Sequence, residues 1–139
     1  MTNILFSITL GILSLHFFSF TYRINGINRV MYNIPISIFE VAIPLAQNQQ
    51  HPVLYYDKTY LEDELTSYFN KSIYKYTDHY SLNFYYYNQF DFSICRGEYC
   101  DAVEITLNAE ITMFNNYSKK MRFFIQKNQL WIKINYLLL

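Results

Sequence analysis

The side chains best suited to chemistry in this sequence are its two cysteines, Cys95 and Cys100. They flank residues 96–99, a length that suits a hairpin loop, so the two cysteines would lie opposite each other in adjacent antiparallel strands. Opposed residues in such strands have Cα distances that allow a disulfide. We therefore predict a disulfide between Cys95 and Cys100, and with it an oxidising location. The alternative is two free thiols in a reducing compartment.

Other residue types that bind metals or catalyse reactions form no recognisable set. Outside the apolar N-terminus only His51 and His79 could join the cysteines, whose spacing is wider than that of a zinc knuckle. Glu62 and Glu64 resemble paired catalytic carboxylates, but their place near the start of a predicted helix is explained by the helix dipole. The sequence also lacks a Gly-rich phosphate loop and a nucleophile elbow. We therefore expect no enzyme activity, no metal, no cofactor and no small-molecule substrate.

The composition argues against one class of partner. Lys and Arg together number 11, as do Asp and Glu, so the chain lacks the positive charge of nucleic-acid-binding proteins. Its 15 tyrosines and 12 phenylalanines favour β-strands. The same residues could form a tyrosine-rich surface that binds glycans or peptides. An AT-rich genome enriches them without any such role.

The N-terminal segment has the length and character of a membrane-spanning helix. No charged side chain occurs between Thr2 and Tyr22, and about 20 helical residues cross the apolar core of a bilayer. A cleaved signal peptide competes, but no basic residue precedes the apolar stretch. Arg23 and Arg29 follow it and favour a cytoplasmic domain by the positive-inside rule, whereas the predicted disulfide favours the other side. We predict a single-pass protein of the cell membrane with an extracellular C-terminal domain.

Two further helices are expected before the C-terminal half. Residues 36–47 are apolar but contain a glutamate and a proline, which indicates a kinked, membrane-proximal helix and not a second span. Thr59 and Glu62 have the spacing of a capping box, and apolar residues recur at helical spacing over 61–76. This pattern predicts an amphipathic helix that covers a sheet.

The second half of the chain alternates apolar and polar residues with a period of two, which is typical of antiparallel strands with one covered face. The predicted strands are 82–86, 90–94, 103–113 and 121–125, with loops at 87–89, 96–99 and 116–118. In this register Phe84 lies opposite Phe92, and Ile111 lies opposite Phe123, so the apolar faces coincide. The polar face that includes Glu104 is left for partners. Residues 130–139 would form either a fifth strand or an interface.

The predicted fold class is α+β. It comprises an N-terminal transmembrane helix, membrane-proximal and amphipathic helices, and a four- or five-stranded antiparallel meander. The predicted parts are a transmembrane anchor and flank (1–29), a membrane-proximal helix and linker (30–56), and a helix plus sheet domain (57–139).

This order of elements resembles the TadE-like minor pseudopilins of the tight-adherence (Tad) type IV pilus systems. Phe39-Glu40-Val41-Ala42 is comparable to the Glu-Phe-Ala type motif that members of that family carry. The resemblance implies a structural, non-catalytic role in pilus assembly, with membrane lipid and other pilus-assembly proteins as partners. The alternative is an accessory subunit of a larger membrane complex in an AT-rich organelle or bacterium, where the thiols would stay reduced.

Overall fold

The computed structural model describes residues 2–46, 54–112, 115–125 and 131–133. Helices precede an antiparallel sheet, as predicted, and the elements are α1 (Thr2–Tyr32), α2 (Ile36–Ala46), α3 (Lys58–Ser72), β1 (Tyr80–Tyr87), β2 (Ala102–Thr112), β3 (Asn115–Phe124) and β4 (Trp131–Lys133). The order in the sheet is β1-β2-β3-β4, and β4 adds three residues beside β3. The α+β class is therefore confirmed. The rest of the tail at 130–139 lies outside the described residues.

Helix α1 continues well beyond the predicted span. It runs unbroken to Tyr32 and so crosses the predicted boundary at residue 29. Pro35 follows closely, and a proline disfavours helical backbone in the residue before it, which explains why α1 ends here. The next helix, α2, begins at Ile36 as predicted.

Asp57, and not Thr59, caps α3. Helix α3 begins at Lys58, and the Asp57 carboxylate accepts a hydrogen bond from the Tyr60 amide at 3.0 Å. The predicted capping box of Thr59 with Glu62 is therefore wrong. Aspartate has the better placed acceptor, because it immediately precedes the free amides and the positive end of the helix dipole.

Strand β1 pairs directly with β2, which differs from the predicted meander. Phe84 lies opposite Ile105 and not opposite Phe92, and the ladder covers all 8 residues of β1. Residues 90–94 form no strand and belong to a loop that spans 88–101. The direct pairing satisfies more backbone hydrogen bonds than two short hairpins would, and this explains why β1 pairs with β2.

The pairing of β2 with β3 also differs from the prediction. Thr112 pairs with Asn115, so the connection lies before the predicted loop at 116–118. Phe123 consequently lies opposite Val103 and not opposite Ile111. The shift is an even number of residues, so the same side chains still point to the covered face.

The core lies between one face of the sheet and all three helices, whereas α3 alone was expected to cover it. Phe39 of α2 stacks on Phe123 of β3 with ring centroids 4.2 Å apart. Helix α3 buries Leu61, Leu65 and Phe69. The other fully buried contributors include Ile27 and Met31 of α1 and Ile105 and Leu107 of β2.

Candidate membrane helix and disulfide-linked loop

The first half of α1 is exposed along its whole length. Residues 3–19 are all exposed, and packing against the domain begins at Phe20. At 1.5 Å per residue this half is about 25 Å long, close to the thickness of the apolar core of a bilayer. Among the described residues, α1 lies in the one helical stretch, Asn3–Ile43, that is long and apolar enough to cross a membrane.

Several hydroxyl groups in and just after this exposed half are satisfied within the helix. Four of them donate to the carbonyl oxygen four residues earlier at 2.8–2.9 Å, and the donors are Ser7, Thr9, Ser14 and Thr21. Internal bonds of this kind remove the need for water at these side chains. These four polar side chains are therefore compatible with a lipid surrounding.

Arg23, just after the exposed half of α1, contacts the sheet. Its Nη1 donates a hydrogen bond to the carbonyl oxygen of Ile111 in β2 at 2.9 Å. Arg29 is exposed in the last turn of α1, where a positive charge interacts favourably with the helix dipole. The two arginines that gave one topological signal in the sequence therefore have different surroundings.

A second polar contact joins α1 to β3. The Asn28 Oδ1 accepts hydrogen bonds from the Tyr117 hydroxyl at 2.5 Å and from Lys119 Nζ at 2.6 Å. Lys119 is only 7% exposed, and its Nζ lies 3.9 Å from the centre of the Tyr32 ring. A buried ammonium needs such partners, so this arrangement fixes α1 on the sheet.

The predicted cysteine pair lies in the loop 88–101 with its two sulfur atoms at disulfide-bonding distance and its Cα atoms 5.8 Å apart. The expected hairpin around it is absent. The Cys95 amide donates to the Tyr86 carbonyl at the outer edge of β1, at 2.8 Å. The Cys100 carbonyl accepts from the Tyr56 amide, at 2.9 Å. The cysteines thus join the edge of the sheet to the segment before α3.

Further contacts hold this loop against the start of α3. The rings of Tyr55 and Tyr99 meet edge to face at 4.7 Å, and Lys58 Nζ donates to the Gly97 carbonyl at 2.7 Å. The loop is therefore anchored at several points along its second half.

The first half of the loop carries three exposed apolar side chains. Phe90 is 100% exposed, Phe92 61% and Ile94 67%. The cavity beside Phe92 and Phe124 has a volume of only about 50 Å³, far below the 300–1,000 Å³ typical of ligand sites. It is too small to bind a substrate or cofactor.

The two candidate glutamates are not brought together. The Glu62 carboxylate accepts a hydrogen bond from the Tyr86 hydroxyl at 2.9 Å, whereas Glu64 is exposed. Burial, together with the Glu62 carboxylate, raises the pKa of Tyr86. His51 lies outside the described residues. Within the part of the chain that is described, no three His, Cys, Asp or Glu side chains are grouped so that they could hold a metal ion.

The polar face of β2 is less available than predicted. Glu104 is only 4% exposed and accepts a hydrogen bond from Arg122 Nε at 2.5 Å, with Lys120 Nζ at 3.9 Å. Thr106 is buried as well. Strand β2 is flanked by β1 and β3, and Arg122 and Lys120 of β3 lie against Glu104. Glu104 is thus part of an ion pair within the domain and is not free for partners.

No known protein family matches the chain, and neither a curated protein nor a solved structure matches it. Its function must therefore be inferred from its own geometry.

Proposed function

We propose that this protein is a non-catalytic, membrane-anchored component of a surface assembly, with a role like that of the TadE-like minor pseudopilins. The observation that carries the proposal is the continuity of α1. Residues 3–19 are exposed and mostly apolar, while Ile27 and Met31 of the same helix are fully buried in the domain. Anchor and domain are thus one helix without a linker, so the membrane sets both the position and the orientation of the domain.

The order of elements further supports a pseudopilin-like role. The apolar helix is followed by two shorter helices and an antiparallel sheet, which is the order of elements on which the resemblance to that family rests. The segment compared with the family motif contributes to packing, since Phe39 and Ala42 are fully buried whereas Glu40 and Val41 are exposed. The residues of that segment therefore pack α2 into the core, and they add no support to the pilus proposal.

We place the domain on the extracellular side of the membrane. A bonded Cys95–Cys100 pair is stable under oxidising conditions and is rare in a reducing cytosol. Arg23 and Arg29 both keep their positive charge and oppose this placement by the positive-inside rule. Two arginines are a weaker signal than the bonded cysteine pair.

Topology provides the decisive experiment. Protease added to intact spheroplasts that carry the full chain should remove the domain, and alkylation without reductant should leave both cysteines unmodified. Protection until the membrane is permeabilised, together with full alkylation, would overturn the extracellular placement. That result would favour the accessory-subunit alternative.

The assembly role needs a separate measurement. Chemical cross-linking in the native membrane should join this protein to other single-pass membrane proteins, and the adducts should disappear when the span is replaced by a soluble tag. A chain recovered only as a monomer, with no adducts at any cross-linker length, would contradict a role in assembly.

A further inference from the structure

Strand β1 leaves one of its two edges without a partner strand among the described residues. It is the outermost strand of the order β1-β2-β3-β4 and pairs with β2 in an unbroken register. An unpaired edge presents backbone donors and acceptors that another extended chain can bind.

The backbone groups at this edge can be identified. The Tyr86 carbonyl accepts from Cys95, which is not part of β2, so the backbone of Tyr86 points away from β2. Orientation alternates along an antiparallel strand, and Leu82 and Phe84 therefore point the same way. No backbone hydrogen bond reaches these two residues from outside β1 among the described residues. Cys95 and the bridge between Ile94 and Tyr87 cover only the end of the edge at Tyr86 and Tyr87.

The edge also lacks the usual features that prevent pairing. Natural edge strands carry charged residues, prolines or bulges that discourage other chains. Strand β1, with the sequence YSLNFYYY, contains no charge and no proline, and its pairing with β2 shows no bulge. An edge strand that binds no other chain usually carries at least one of these features.

A groove of about 490 Å³ runs beside this edge, between β1 and α3. Phe84 contributes an apolar surface to it, and the lining residues of α3 are acidic at one end and basic at the other. Glu62 and Asp63 form the acidic end, and Lys71 lies at the basic end. Asp63 and Lys71 are both exposed, so their charges are available to a bound chain.

The direction of this charge gradient is fixed by two contacts. The Tyr86 hydroxyl bonds to Glu62, and the Tyr80 hydroxyl bonds to Asn70, so α3 runs antiparallel to β1. A chain that pairs antiparallel to β1 would therefore run parallel to α3. Its N-terminal end would meet the acidic end of the groove, and its C-terminal end would meet Lys71.

We infer that the free edge of β1 binds an extended segment of a partner protein that carries a basic residue, then an apolar residue, then an acidic residue at alternate positions. Strand residues four apart are about 14 Å apart, and helix residues 63 and 71 are about 12 Å apart, so both charges can pair at once. The apolar residue between them would lie beside Leu82 and Phe84. This inference does not depend on the orientation of the domain in the membrane.

A fluorescent peptide with the sequence acetyl-Thr-Lys-Thr-Val-Thr-Glu-Thr-amide tests the inference against the full chain in detergent micelles. Fluorescence anisotropy should show saturable binding. N-methylation of the valine, whose amide faces β1, should weaken binding by about tenfold, since it removes a backbone hydrogen bond. N-methylation of the threonine beside it, whose amide faces away, should have little effect. Equal effects of the two methyl groups, or no binding at all, would overturn the inference.

A charge exchange tests the direction. The double variant Asp63→Lys/Lys71→Glu should prefer the peptide acetyl-Thr-Glu-Thr-Val-Thr-Lys-Thr-amide, whereas the unaltered protein prefers the first peptide. Both sites are exposed, so the circular dichroism spectrum of the variant should match that of the unaltered protein. An unchanged preference in the correctly folded variant would overturn the proposed orientation. A dimer formed through β1 that excludes the peptide would show that a second copy, and not a partner segment, occupies the edge.

Discussion

Gly26 lies where α1 contacts the turn after α3. A Cβ atom at position 26 would overlap the ring of Tyr76, whereas one at Gly11 would meet nothing within 4 Å. We expect Gly26→Ala to lower the free energy of unfolding by about 1–3 kcal/mol through overpacking, although alanine favours helix. Urea unfolding in detergent, followed by circular dichroism, measures the change. Gly11→Ala is the matched control and should cause no loss. Equal stability of the two variants would contradict the close contact.

Asp57 is the N-cap of α3. Its side chain accepts a hydrogen bond from the Tyr60 amide, whereas the capping pattern in the sequence pointed to Thr59. Asp57→Ala should lower the free energy of unfolding by about 1 kcal/mol, since it removes an N-cap. Thr59→Ala, at an exposed helical position, should change it by less than about 0.5 kcal/mol. A larger loss from Thr59→Ala than from Asp57→Ala in the same urea titration would support the capping box of Thr59 with Glu62.

The loop 88–101 is the element in which sequence and structure differ most. Phe90, Phe92 and Ile94 alternate with polar residues and so predicted a strand, yet all three are exposed. Period-two alternation reports only which residues share a face. It does not report whether a segment finds a pairing partner. The cysteine pairing was predictable because it depends on short spacing, whereas the partner of β1 depends on competition among long-range pairings.

The bond between Cys95 and Cys100 closes a small ring within this loop. Closing so small a ring should stabilise the fold by about 2 kcal/mol through the lost entropy of the unfolded chain. Dithiothreitol should therefore lower the urea midpoint of the full chain. The Cys95→Ala/Cys100→Ala variant should start at the lower midpoint and should not respond to dithiothreitol. A midpoint that is insensitive to reductant in the unaltered protein would show that the bond contributes no stability.

Across the whole molecule, α1 combines a half that is long and apolar enough to span a membrane with a half that belongs to the core. Residues 3–19 are exposed, whereas the later half contributes buried side chains such as Ile27 and Met31. Deleting residues 1–19 should therefore yield a domain that remains folded without detergent. Deleting residues 1–32 should prevent folding, because it exposes the core beneath α1. Circular dichroism and size-exclusion chromatography distinguish the two outcomes. A folded product from the longer deletion would show that α1 is not part of the core.

Features that depend on local pattern could be predicted from the amino-acid sequence. These include the apolar segment at the N-terminus, the α+β class and the residues of β2 and β3 that face the core. Each follows from the composition or period of one short stretch, which neighbours do not alter. Which strands pair, how far α1 extends into the domain and which groups contact Arg23 and Lys119 became clear from the fold. These features depend on contacts between residues far apart in the chain, such as Asn28 with Lys119, and no local pattern encodes such contacts.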